Sequence, residues 1–199
     1  MSIVIKNTLV KIILVIMPIT FILPKQIIED ASIEKKVFSG EIVFKDIEEK
    51  STAGVEATFL LQTSSNKLWN ILTDYQNFNH NFDNIKKIKV IDENPKGATI
   101  ELWISTVLKT FHYTVFRKYD EPLHKLTWEE LSGDFKTNRG SWEIQETPDL
   151  KGCIVRYRTF VEVGGIIGRT FKNRTKPESI KRINHMVVKL KTILEKQNN

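Results

Sequence analysis

From Thr99 to Val163 the chain reads as one strand after another, each joined to the next by a link too short to hold a helix. TIELWISTVLK, FHYTVFRKY, KLTWEEL and FKTNRGSWEIQE follow in close order, and after TPDLKG comes CIVRYRTFVEV. Parallel neighbours need a crossover of a dozen residues or more, so strands spaced this closely are confined to an antiparallel meander. IKKIKVID, before the turn ENPKGA, extends the series upstream. Nearer the N-terminus, GEIVFKDIEE nearly alternates, and in GVEATFLLQT Val55, Ala57, Phe59 and Leu61 alternate with Glu56, Thr58 and Leu60.

Two segments break the period of two. In TSSNKLWNILTD, Ser64 or Ser65 can cap a helix carrying Leu68, Ile71 and Leu72, which the polar DYQNFNHNFDN then ends. At the C-terminus, Pro177 suits a first helical position. Ile180, Ile183, Val187, Leu190 and Leu194 form a stripe widened by Met186 and Ile193, with Lys181, Arg182, Lys189 and Lys196 on the other side. The expected fold is α+β: a curved antiparallel sheet of about six to seven strands wrapped on a long C-terminal helix, with a short helix after the first strands. One amphipathic helix cannot cover a twisted sheet of that width, so a hollow between them is the natural ligand site.

The N-terminus is set apart from this domain. MSIVIKNTLVKIILVIMPITFILPKQ has two early lysines, no acid, and an uncharged run from Ile12 to Pro24. A membrane span needs about 20 apolar residues, whereas a signal-peptide core is shorter. Residues 1–24 are therefore expected to be a signal peptide or an uncleaved signal anchor, residues 25–37 a linker, and 38–199 the ligand-binding domain. The protein would then be exported, periplasmic or secreted, or tethered to the membrane.

Composition removes several function classes. The single cysteine, Cys153, excludes an internal disulfide and a thiolate-rich metal site, and is expected to be buried. His80, His112, His124 and His185 lack ligand spacing, so no metal is expected. GGIIG at 164–168 lacks the dinucleotide pattern and setting, and NRT at 173–175 is a glycosylation acceptor only in a eukaryotic secretory pathway. No cofactor is expected. The net charge of +6 fits a solvated basic surface, anionic lipid or nucleic acid. Nucleic acid is the weakest of these, because aromatic residues are not interleaved with the basic ones of the last helix.

Alternation assigns the two faces of the sheet. The expected ligand-cavity residues are Phe111, Tyr113, Val115, Trp128, Trp142, Ile144, Val155, Tyr157, Thr159 and Val161, with Ile183 and Val187 from the helix. Taken singly, each aromatic reads as core before ligand contact, while several beneath one covering helix imply that some touch a ligand. Arg156, Arg158 and Glu162 should face water, and the side of Trp103 is open. Tyr75, Phe78 and Phe82 would form a loop at the cavity mouth, and Lys181, Arg182 and Lys189 would face an anionic membrane surface. The ionisable candidates for chemistry, His112, Glu129, Arg139 and Arg158, mostly fall on the outer face, and Ser132 and Ser141 lack a nucleophile elbow. No catalytic residue is expected.

SSNKLWNILTDYQNFNHNFDNIKKIKVI, GDFKTNRGSWEIQE and GCIVRYRTFVEV, in this order, resemble the SRPBCC superfamily, the START-like or helix-grip fold. The likeness is to its polyketide cyclase/dehydrase and coenzyme Q-binding group. Trp69, Leu72, Asp74, Tyr75 and Asn84 fall where the family motif puts such residues, while Asn79 and Asp83 stand where members commonly carry prolines. The resemblance implies a cavity under the long helix that binds or transports a hydrophobic small molecule, such as a lipid, a quinone or a polyketide-like compound. Its alternatives are an aromatase/cyclase-type enzyme using the same cavity and an intracellular ribosome-associated module, the latter disfavoured by an export signal. A monomer without nucleic-acid partners is expected.

Overall fold

A computed structural model describes residues 26–106, 109–164 and 175–196. The expected export signal, most of GGIIG, and Asn173 and Arg174 of the NRT pattern lie outside these residues.

After the turn at Lys50 and Ser51, both with positive φ, β1 (Val43–Glu49) folds back on β2 (Thr52–Leu61) as a two-residue hairpin. Ser64 caps α2 (Ser65–Thr73), its hydroxyl accepting from the Lys67 amide at 3.2 Å. α2 and the single turn of α3 (Phe78–Asn81) carry the chain to the far edge of the sheet. From there β3 (Ile85–Asn94), β4 (Gly97–Ser105), β5 (Thr110–Asp120), β6 (Lys125–Gly133), β7 (Phe135–Glu146) and β8 (Cys153–Val163) meander back. β8 then closes against β2, with Val55 opposite Thr159 and Phe59 opposite Val155. The eight described strands form one antiparallel sheet in the order β1-β2-β8-β7-β6-β5-β4-β3, slightly more than the six to seven expected. α4 (Thr175–Lys196) lies on its concave face, so the helix-grip arrangement expected from the sequence is the one observed.

Two clusters occupy that face. In the first, Val55, Ala57, Phe59 and Leu61 of β2 meet Leu68, Ile71 and Leu72 of α2 and Ile183, Val187, Leu190 and Leu194 of α4. The second joins Ile100 and Leu102 of β4 with Phe111, Tyr113 and Val115 of β5, and Tyr75 and Phe78 cap it. Gly140 permits a close approach between strands. A Cβ there would fall 2.1 Å from the Arg158 carbonyl oxygen and 2.3 Å from the Trp128 ring, so the indole of Trp128 lies directly across it.

The stretch expected as a linker is structured. Asp30 caps α1 (Ala31–Phe38) by accepting from the Ser32 amide at 2.7 Å. Ile27, Ile28 and the fully buried Val37 pack against Ile154 on the convex face, with Leu60 alongside. The Ile27 amide is held by the Gln145 side-chain oxygen at 2.8 Å. The reading of 25–37 as linker fails because its charged residues hide three apolar ones that cover this patch of the sheet. Elsewhere the outer face carries ion pairs, Arg156 to Glu143 at 2.7 Å and Arg158 to Glu56 at 2.6 Å.

Candidate ligand-binding cavity

Beyond the packed cluster, a cavity of about 430 Å³ lies between the concave sheet and the N-terminal part of α4 as far as Lys189, with Phe78 and Phe82 at one end. Aromatic rings build much of its wall. Phe135 stacks on Phe111 at 4.7 Å and meets Tyr113 edge-on at 5.2 Å. Across the sheet, Tyr157 stacks with Trp128 at 5.5 Å and tilts against Trp142 at 4.7 Å. Rings in such mutual contact hold one another in place, so the wall is rigid and apolar. Trp142 straddles the boundary: it belongs to the packed cluster and also lines the cavity.

The wall carries a few polar groups. Asn138, buried, accepts from the Trp128 indole N–H at 3.1 Å and hydrogen-bonds the Tyr113 hydroxyl. Thr159 hydrogen-bonds the Tyr157 hydroxyl. Burial pushes both phenols above the usual tyrosine range, against the pull of the Arg182 charge, so both stay protonated at physiological pH and remain able to donate. Tyr119, whose hydroxyl meets that of Tyr75, is raised in the same way, mainly by burial and then by that hydrogen bond.

Arg117 is the charged residue set deepest in the wall, at 6% exposure. Its Nη1 donates to the Leu72 carbonyl at 3.0 Å, and its guanidinium lies 5.2 Å from the Tyr75 ring centre and 5.3 Å from that of Phe78. Sequence reasoning missed it, although it shares the inward parity of Phe111, Tyr113 and Val115. Asn138 was missed similarly, being on the parity of Trp142. Phe135 could not have been found by parity, because a register shift between Phe135 and Thr137 turns its side chain inward.

Of the residues expected in the cavity, Phe111, Tyr113, Val115, Trp128, Trp142, Tyr157, Thr159, Val161 and Ile183 line it. Ile144, Val155 and Val187 do not; they are packed among β2, α2 and α4 in the first cluster. Phe78 and Phe82 line the cavity end, whereas Tyr75 is buried behind them against Phe78 and Tyr119. Lys181, Arg182 and Lys189 all sit on the cavity rim. Lys189 is engaged there, reaching both oxygens of Asp83 at 2.8 and 3.0 Å. That pair ties α4 to the loop before β3, and it holds the Asp83 carboxyl below its ordinary range.

The groups weighed for chemistry lie elsewhere. His112 stacks on Trp103 at 4.4 Å and pairs with Glu101 at 2.7 Å, with Lys87 over the same indole, which places Trp103 on the outer face. Glu129 is exposed, and Arg139 donates to the Glu49 carbonyl at 2.8 Å. Glu130, not singled out in the sequence, turns inward at the sheet end. Its Oε1 accepts from the Phe135 amide at 3.3 Å, and its Oε2 is buried without a hydrogen-bond partner among the described residues. Desolvation, reinforced by the charge of Asp134, pushes its carboxyl up to about 7. Among the described residues, no group of three side chains able to hold a metal comes together, and no helix is long and apolar enough to cross a membrane.

The family model described as polyketide cyclase/dehydrase and lipid transport matches residues 61–183, from the end of β2 to the middle of α4. The chain belongs to this family. Among curated proteins, no sequence matches significantly. Solved structures share the family fold at low identity. A Thermus thermophilus protein matches at 12% identity with a TM-score of 0.66, over 73% of this chain and 99% of its own. A START superfamily protein from Mycobacterium smegmatis matches at 15% and 0.61, over 72% and 98%. The Zhui aromatase/cyclase of a Streptomyces species matches at 15% and 0.53, over 71% and 87%. At such identities the likeness extends to the fold and not to the ligand.

Proposed function

We propose that the protein binds an apolar small molecule in the cavity under α4 and shields it from water, as a carrier of a lipid, quinone or polyketide-like compound. The observation that carries this reading is the cavity itself. Its volume of about 430 Å³ is within the span of small-molecule sites, and rigid rings form its wall. Burying apolar ligand surface there would contribute about 25 cal/mol per Å². Native mass spectrometry of the protein purified from its own host should reveal a co-purifying apolar molecule. A cavity that is empty in every preparation would sink the carrier reading.

A ring-closing activity is the second reading. It draws support from the structural likeness to proteins described as aromatase/cyclases and from Glu130, whose carboxyl is poised near neutrality beside Tyr113. Against it, Glu130 is not among the residues lining the cavity. Turnover of a poly-β-ketone substrate that is lost in Glu130→Gln would favour the enzyme.

Export through residues 1–24, and approach to anionic lipid through Lys181 and Arg182, belong to the same proposal. Support comes from the apolar N-terminal run and from the exposure of these two cations beside the cavity. Fractionation of the native host would locate the mature chain.

A further inference from the structure

Arg117 poses an electrostatic problem that the chain does not solve by itself. A guanidinium does not shed its proton on burial as an amine can, so burying it without a counter-ion is costly. Natural proteins pair such a group with a carboxylate. Among the described residues, Arg117 has no ion-pair partner, and its guanidinium makes one hydrogen bond, to the Leu72 carbonyl. The remaining residues, 1–25, 107–108, 165–174 and 197–199, include no aspartate or glutamate, so they offer no side-chain carboxylate either. The faces of Tyr75 and Phe78 provide partial compensation, since a cation is drawn to an aromatic face. They cannot accept the remaining guanidinium N–H groups as oxygen would, and Arg117 lines the cavity.

We propose that the missing counter-ion comes with the ligand: the cavity takes an amphiphile whose anionic head, a carboxylate or phosphate, docks on Arg117 while its apolar body lies along the aromatic wall. The fork of guanidinium donors suits the paired oxygens of either head. Tyr157 lines the same cavity, and its hydroxyl, kept protonated by burial, provides a further donor there. This inference rests on the carrier reading and narrows its ligand class. It leaves neutral quinones and sterol-like molecules as poorer fits, because they bring no charge to Arg117.

The test uses the full chain, delipidated, titrated calorimetrically with decanoate, decyl phosphate, decan-1-ol and inorganic phosphate. Decanoate or decyl phosphate should bind at least about tenfold more tightly than decan-1-ol, the expectation for one charge-assisted contact, and whichever does so identifies the head. In Arg117→Met that preference should vanish through weakening of the anionic ligand, with decan-1-ol affinity retained. Lys45→Gln, an exposed cation away from the cavity, should keep the preference. Equal affinity of wild-type protein for decan-1-ol and both anions would overturn the inference while leaving the carrier reading intact. Absence of binding by all three ten-carbon probes would remove both. Preference lost in Lys45→Gln or kept in Arg117→Met, or comparable binding of inorganic phosphate, would also overturn it. Should Arg117→Met not fold, the wild-type comparison still decides, with Arg117→Lys expected to retain a weakened preference.

Discussion

The two ends of the space under α4 use the same sheet and the same helix, yet one is solid and the other hollow. At the solid end, β2, β8 and β7 are covered by two helices, with α2 contributing Leu68, Ile71 and Leu72 beside Val187, Leu190 and Leu194 of α4. At the hollow end, β4 to β6 and the inward residues of β7 and β8 from Phe135 to Trp142 and from Tyr157 to Val161 lie under the start of α4, with Phe78 and Phe82 closing one end. Interiors fill to crystal-like density only when side chains arrive from both layers. Where α2 is absent, rings that lean on one another along the sheet leave a gap that no aliphatic residue reaches across. The cavity therefore follows from where the second helix stops.

This contrast can be broken at its boundary first. Trp142→Ala removes a side chain shared by both ends, and should cost about 4 kcal/mol of stability by denaturant unfolding together with loss of ligand affinity. Reduced stability with unchanged affinity would assign Trp142 wholly to the solid end. Next, Leu190→Ala, fully buried at the solid end, should cost about 3 kcal/mol and leave ligand affinity unaltered in the folded protein. A change of affinity there would mean that the two ends are mechanically coupled.

A smaller effect is expected from Glu130, at the edge of the hollow end. Its folded-state carboxyl is raised to about 7 from 4.5, mainly by desolvation. The unfolded chain therefore loses this proton at lower pH than the native one. The resulting contribution is fully favourable below about pH 4.5 and is lost as pH rises through 7. Because the side chain is partly exposed, solvent screening limits its size to about 1 kcal/mol. Unfolding curves for wild-type and Glu130→Gln protein between pH 4.5 and 7.5 should diverge by that amount, the variant lacking this component of the slope. Parallel curves would show that the carboxyl titrates normally.

How much of this was legible beforehand differs between fold and site. Alternation in β5, β7 and β8 places Phe111, Tyr113, Trp142 and Tyr157 on one face, and the stripe on α4 shows which helix face meets them. The same alternation puts Arg117 inward as well, but periodicity does not mark a charge in an apolar row as buried, since burial without a partner is ordinarily costly. Phe135 was hidden by the register shift before Thr137. Residues 25–37 read locally as linker because Glu34, Lys35 and Lys36 outweigh Val37, although Val37 is fully buried.

By itself the sequence determined the antiparallel meander and the inward face of most of its strands, but not the closure of β8 on β2. Meander and faces depend on local periodicity and short links, which are properties of neighbouring residues. Only the tertiary structure decided that Ile144, Val155 and Val187 are packed solid while Val115, Trp128 and Thr159 stand along a cavity. The five strand residues point to the same side and Val187 faces them from α4; what separates the two groups is whether they fall in the cluster that α2 completes. That is set by contacts between residues dozens of positions apart, which no local pattern records.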